Sequence, residues 1–346
     1  MNNPVRACLI VDDVPIAAAY WMRLQQLACG YTPTETGWGY RWRELASSAF
    51  MRISDLREFA DFADENNIRG KFTVLPCPAG LGRIDQRIRG LSDAHLAELL
   101  NIVRTQIAPR FDITPEVLTH TMAIQPETGA LLPHTEIAWL SHLLASGRTE
   151  AVTDYLRQAW TILRNVGLQP HGLTLGGMED KSGIAAGKMA NAGFFSEELS
   201  RVLLAVEREY QPTTKRSFLF GPFASRMDQE KSRNLPQVIW EDPCAGRVYK
   251  LAALGNDPSF PLLHGDGNLT AAIDVAISPD LTQGRWVEAA EQGHALVIVT
   301  HAQTLNAANT GQGLQLLRES VRRLRERYGR RLIWNTPDEL CQLIPA

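Results

Sequence analysis

The stretch CLIVDDVP, residues 8–15, runs from four apolar residues straight into two adjacent carboxylates, Asp12 and Asp13. Four consecutive apolar residues read as a strand covered on both faces, the pattern of a parallel sheet flanked by helices. Side chains along such a strand alternate between faces. A buried strand that ends in two acids therefore gives at least one of them work to do. An aspartate after a strand also caps turns, so the rest of the chain must decide between the two uses.

Working outward, ISDLREFADFADENNI (residues 53–68) places Leu56, Phe59, Ala60 and Ala63 on one helical stripe behind Ser54 as cap, and GKFTVLP (70–76) follows as a short buried strand. That is a βαβ unit. LSDAHLAELLNIVRTQI (91–107) begins with a second serine cap and carries Leu96, Leu99, Leu100 and Val103 at helical spacing, before the strand-like EVLTHTMAI (116–124). Two helices, EIAWLSHLLASG (136–147) and TEAVTDYLRQAWTILRNVGL (149–168), lead to the strand PHGLTLGG (170–177). RSFLF, PQVIWED, RVYKLAAL and AAIDVAIS (271–278) read as strands, with one helix in MANAGFFSEELSRVLLAVEREY (189–210). HALVIVTHAQTL (294–305), the helix from Gly313 and RLIWNTPDELCQLI close the chain. Alternating strands and helices with no linker, repeat or low-complexity tract predict an α/β fold, a single (β/α) barrel spanning residues 1–346.

Composition narrows the function classes. The 346 residues are 45% hydrophobic and 21% charged, enough to bury a large core, and a net charge of −3 gives no basic footprint for nucleic acid. The arginine-rich RESVRRLRERYGRR alternates with Glu and apolar residues as a solvated helix face does. Five scattered cysteines without a CxxC pair fit a reducing compartment better than a disulfide framework. No charged leader with an apolar core opens the chain, which predicts a start near Met1, a cytoplasmic location and no membrane partner. The segment of residues 30–50, rich in Gly, Trp and Tyr, has no clean period and reads as a functional loop in which Trp38, Tyr40 and Trp42 offer stacking surfaces.

The informative pattern is where the chemically capable residues fall. Asp12 and Asp13 end the first predicted strand; Arg83 and Asp85 follow the second; His120 closes the third; His171, Glu179 and Asp180 flank the fourth; and His301 closes ALVIVTH. In parallel barrels the active site is built at that rim. His95 and His142 lie on helices and read as packing or surface residues, His294 begins a strand at the opposite end, and His134 is open.

The order of these pieces resembles the polysaccharide deacetylases of the NodB-homology type, in the glycoside hydrolase/deacetylase superfamily. IVDDVP is similar to that family's first motif, EVLTHTMA to the start of the second, and YLRQAWTILRNVGLQPHGLTLGG to the helix and strand of the third. ALVIVTH with the later TPDEL is similar to the closing motif. Residues about 200–285 match none of it and form an irregular insertion. The resemblance implies an irregular seven-stranded barrel, Asp12 as general base, His301 as general acid, and Asp13 and His120 as ligands of a divalent metal, zinc or else cobalt or manganese, with no organic cofactor. The second motif's further His, four residues after the first, is here Ile124, which leaves the third ligand to His134, Glu127, Glu179 or His301. Substrate contacts fall to Trp38, Tyr40, Arg83, His171 and Glu179.

The function so implied is hydrolysis of a non-peptide C–N bond, removing an N-acyl group from a carbohydrate-related or small amide substrate. Two other readings stand beside it. One is a glycoside-cleaving relative that pairs Asp12 or Asp13 with Glu179. The other is a catalytically silent carbohydrate-binding protein.

Overall fold

The computed structural model describes residues 3–17, 49–120, 122–175, 196–221, 235–255, 257–263, 267–307, 309 and 311–345. Trp38, Tyr40, Trp42, Glu179 and Asp180 lie outside the described residues.

Strand β1 (Val5–Val14) is buried at every position but Arg6. Helix α1 (Ile53–Glu65) buries Leu56, Phe59, Ala60 and Ala63 as the apolar spacing requires. Its N-cap is Arg52 rather than Ser54, whose hydroxyl turns to the Asp55 carboxylate inside the first turn. Strand β2 (Gly70–Val74) then returns parallel to β1, completing the predicted βαβ unit. Gly70, paired with Leu9, admits no side chain: a Cβ there would sit 1.7 Å from the Leu9 carbonyl oxygen.

Beyond a small hairpin (Gly82–Arg83 with Arg87–Ile88), α2 (Asp93–Ile102) opens under the predicted Ser92 cap, which accepts from the His95 amide. Strand β3 is Phe111–Thr114, not EVLTHTMAI. Pro115 has no amide to donate and ends the strand early. Glu116 to His120 form a turn, and Met122–Ile124 pair with Leu131–Thr135 in a separate hairpin. Helices α3 (Glu136–Ala145) and α4 (Thr149–Asn165) follow, then the two-residue β4 (Leu173–Thr174), α5 (Glu197–Tyr210), β5 (Arg216–Gly221), β6 (Gln237–Asp242) and β7 (Gly246–Ala252).

AAIDVAIS is a helix, α6 (Leu269–Ala276), contrary to the strand expected of it. The Asn268 side chain caps it by accepting from the Ala271 amide, and Ile273 and Ala276 fall on its buried face. The chain ends with α7 (Arg285–Glu291), β8 (Leu296–His301), the short α8 (Ala302–Leu305), α9 (Gln312–Tyr328), β9 (Leu332–Trp334) and α10 (Pro337–Gln342).

The fold is mixed α/β. One sheet runs β8–β1–β2–β3, entirely parallel, with β9 also pairing with the start of β1. A second runs β6–β7–β5–β4, parallel except for the β6–β7 pair. The two sheets touch at both ends. Ile113 of β3 bridges Pro170 just before β4, with the His171 amide donating to the Ile113 carbonyl at 2.8 Å; beyond β7, the Leu254 amide donates to Val297 of β8 at 2.9 Å. Alternation along the strands sorts the core. Cys8 and Ile10 pack with Phe218, Phe220, Tyr249, Leu251, Val297 and Val299, strand residues of both sheets, while Ala7, Leu9 and Val11 face the large cluster that contains the helices. No described helix is long and apolar enough to cross a membrane.

Candidate metal centre

The two opening aspartates separate because β1 is irregular where they sit. Its pairing with β2 shifts register between Val11 and Val14, and Asp13 lies within the shift at a left-handed φ of 76°. Such irregularities re-aim side chains at the ends of strands.

Asp12 turns into the sheet core. Its carboxylate accepts from the Lys71 ammonium at 2.5 Å and from the Thr73 hydroxyl at 2.6 Å, and the Lys71 side chain is 0% exposed. Lys71 also donates to Thr73 and Thr174, lies 4.4 Å from the centre of the Phe220 ring, and completes a polar layer with Thr114. A fully buried lysine in a strand reads as an error until its partner is seen. Asp12 is that partner.

Asp13 turns the other way, to His120 and Glu116. His120 Nδ1 lies 3.5 Å from Asp13 Oδ1 and 2.5 Å from Glu116 Oε1. One ligand atom from each of Asp13, Glu116 and His120 lies within 4.8 Å of the other two, and this group can hold a metal ion. Gln303, two residues beyond β8, fixes the far side of the group by donating to Asp13 Oδ2 at 2.6 Å.

Electrostatics ties the three together. Burial works to raise the Asp13 carboxyl, but the imidazoles of His120 and His301 and the Gln303 amide outweigh it and hold it below the usual range. Glu116 goes the other way, pushed to about 7 by burial with the Asp13 charge adding to it and His120 opposing. Burial works to lower His120, yet its two carboxylate neighbours lift it to about 10. Without a metal, a protonated imidazole thus carries the positive charge between the two acids.

His301 stands beside this group, since β8 pairs with β1 and His301 is in register with Asp12. Its Nδ1 is 2.9 Å from Asp257 Oδ2, and Asp257, only 3% exposed, is itself held by the amide and hydroxyl of Ser259. Burial alone would depress this imidazole, but the Asp257 hydrogen bond and the Asp13 charge raise it to about 9.

The structure brings together Asp12, Asp13, His120 and His301; Asp12, Asp13 and His301 stand at strand ends, whereas His120 lies on the turn after β3 rather than closing a strand. Among the described residues the metal-holding group takes its third member from Glu116 rather than from His134, Glu127 or His301. Glu127 and Arg83 instead line a cleft of about 480 Å³ with Gln86, Arg87, Ile124 and Gln158, and Arg83 grips Asp85 through two hydrogen bonds. His134 sits on the hairpin strand that precedes α3. His171 flanks β4 on its amino-terminal side. It lies between Glu207 and Asp338 and packs edge-on against Phe218, apart from the metal-holding group.

Glu116, Lys71, Gln303 and Asp257 escape a sequence reading organised by strand ends. Glu116 alone left a trace, as an acid four residues before His120. No protein-family model matches the chain, and no curated protein matches it.

Proposed function

We propose that the chain folds as a single irregular barrel of seven strands and acts as a metal-dependent hydrolase, removing an N-acyl group from a carbohydrate-related or other small amide substrate. Closure in the order β1–β2–β3–β4–β5–β7–β8 is supported by the backbone bonds at both junctions between the sheets. It is also supported by the cluster that draws alternate residues from strands of both sheets, as a barrel interior would. The candidate centre then lies at the carboxyl-terminal rim.

The observation that carries the functional reading is the Asp13–Glu116–His120 group with the His301–Asp257 pair on the neighbouring strand. The residues fit a divalent cation. Asp13 Oδ1 and Glu116 Oε2 are buried oxygens without a partner in hydrogen-bond geometry among the described residues, so their lone pairs are available to a cation that replaces the His120 proton. Two carboxylates and one imidazole suit zinc, cobalt or manganese. When bound, such an ion supplies a Lewis acid that polarises the amide carbonyl and makes water acidic near neutral pH.

The remaining work falls to the chain's own groups. Asp12 is the proposed base toward the attacking water: Lys71 and Thr73 both hold its Oδ1 and fix the carboxylate, and Oδ2 is the oxygen that would take the proton. His301, with Nδ1 committed to Asp257, keeps Nε2 as the nitrogen that can protonate the departing amine. The scattered cysteines without a CxxC pair support a reducing, cytoplasmic setting, in which small, soluble N-acylated compounds are the fitting substrates.

The test is direct. Purified protein should bind one equivalent of zinc, cobalt or manganese and release acetate from a panel of N-acetylated amino sugars and simple amides. Asp13→Asn and His120→Ala should lose both properties while keeping the helical circular-dichroism spectrum and cooperative unfolding. Wild-type protein that holds no divalent ion, and gains no activity when one is added, would sink the reading.

A further inference from the structure

Two of the three proposed ligands, Glu116 and His120, stand at the two ends of one short turn, and the backbone of that turn is strained. Val117 has φ 49° and His120 has φ 74°. The left-handed region is uncommon for any residue with a side chain and a true outlier for a β-branched one. The turn is also buried, with Val117 and Leu118 at 1% and 0% exposure and Thr119 at 0%. Its amides therefore cannot be satisfied by water, and a buried amide left unpaired is costly.

One side chain from another element answers for them. Glu136, in the first turn of α3 and 1% exposed, accepts from the Leu118 amide at 3.1 Å and the Thr119 amide at 2.9 Å through Oε1. Its Oε2 accepts from the His120 amide at 2.8 Å. The carboxylate is anchored in turn by the Tyr155 hydroxyl of α4, which donates to Oε1 at 2.7 Å. Thr135 caps α3 immediately before it by accepting from the Ala138 amide, which fixes where the helix begins and so where the carboxylate stands.

We infer that Glu136 is a positioning residue that, anchored by Tyr155, holds the Leu118–His120 backbone in the conformation that brings Glu116 and His120 together on one cation. The three amide bonds converge on the last three residues of a turn whose ends are the ligands. A carboxylate is the group that fits, because it offers two oxygens with lone pairs enough for four donors. An amide at the same position presents one oxygen and one N–H₂, and the N–H₂ meets an N–H head on. Outer-shell partners of this kind typically change metal affinity by about 10–100-fold when removed.

The inference rests on the metal-binding reading for its consequence, but the grip itself is measurable without a metal. Glu136→Gln and Tyr155→Phe are compared with wild type by titration with Co²⁺ alone, and by hydrogen exchange of the Leu118, Thr119 and His120 amides in metal-free protein. Glu136→Gln should weaken Co²⁺ binding at least tenfold and speed exchange of those three amides by a similar factor, with the amides of β1 and β2 still protected. Tyr155→Phe, which keeps all three amide bonds, should move both quantities in the same direction by a smaller factor, and it carries the test if Glu136→Gln does not fold. Should wild type bind no Co²⁺, the metal reading fails and the exchange rates alone judge Glu136. Unchanged exchange at the three amides overturns the inference in either case, as does wild-type Co²⁺ affinity in both variants.

Discussion

Replacing Lys71 by Met isolates the partner that keeps the buried Asp12 in place. Methionine keeps the unbranched stem of lysine and about its volume, so the substitution opens no large cavity and removes chiefly the ammonium. What remains is a carboxylate 4% exposed, with the Thr73 hydroxyl and no cation at 2.5 Å. Removing one member of a buried ion pair costs roughly 3–5 kcal/mol, because the surviving charge keeps its desolvation penalty and loses its compensation. The Lys71 hydrogen bonds to Thr73 and Thr174 are lost as well, so the upper part of that range applies. Removing the second charge should return most of the loss: Lys71→Met with Asp12→Asn should lie within about 2 kcal/mol of wild type, since neither residue then carries an uncompensated charge. The assay is equilibrium urea unfolding at pH 7, with the four proteins of the cycle measured side by side. A Lys71→Met protein within about 1 kcal/mol of wild type, or a double variant no more stable than the single one, would show that water or rearrangement solvates Asp12 and that the pair does not hold it.

Two further outcomes follow from the charge distribution. Metal must displace the proton that His120 carries, and that imidazole titrates near 10 and Glu116 near 7. Binding at pH 7.5 should therefore release about one proton, measured by calorimetry in buffers of different ionisation enthalpy, and zero release would contradict the bridging imidazolium. In metal-free protein His301 should titrate near 9, above the ordinary histidine value, so its contribution to stability is fully present below about pH 6.5 and lost as pH rises through 9. Asp257→Asn should lower the midpoint of the His301 ring titration followed by NMR, and an unmoved midpoint would show that Asp257 does not hold that imidazole.

How far the fold could be read from the chain depended on what each signal measures. The β1–α1–β2 unit was legible from its apolar period, although Ser54, expected as the cap of α1, lies inside the first turn, and β8 because a continuous apolar run ended in a polar residue that marked its rim. AAIDVAI is apolar but for Asp274, and a run of seven residues fits a buried strand or one buried helix face alike. The deciding residue was Asn268 just outside it, which caps the helix. His171 shows how little a short strand reports. β4 has only two residues, so a histidine beside the apolar run lay before the strand and found Glu207 and Asp338.

The candidate centre shows the same division at the level of single residues. Asp13 and His301 could be found because each follows the apolar run of a strand, and His120 because a histidine after Val117 and Leu118 resembled another such end although it stands on a buried turn. Glu116 could not, because its ligand oxygen is placed by a turn with two left-handed residues, and nothing in the letters EVLTH announces that the chain doubles back between Glu116 and His120. Ile124 makes the point from the other side. Four residues after His120 it lies on a hairpin strand, 4% exposed in the core, with its amide on the Tyr155 hydroxyl. The same hydroxyl anchors Glu136. The position expected to supply a ligand supports the layer behind the ligands instead, and the acid came from the residue four places before the histidine. Spacing along the chain therefore located the histidine, while the direction in which its partner lay was set by the turn through Val117 and His120, whose left-handed backbone no residue type there announces.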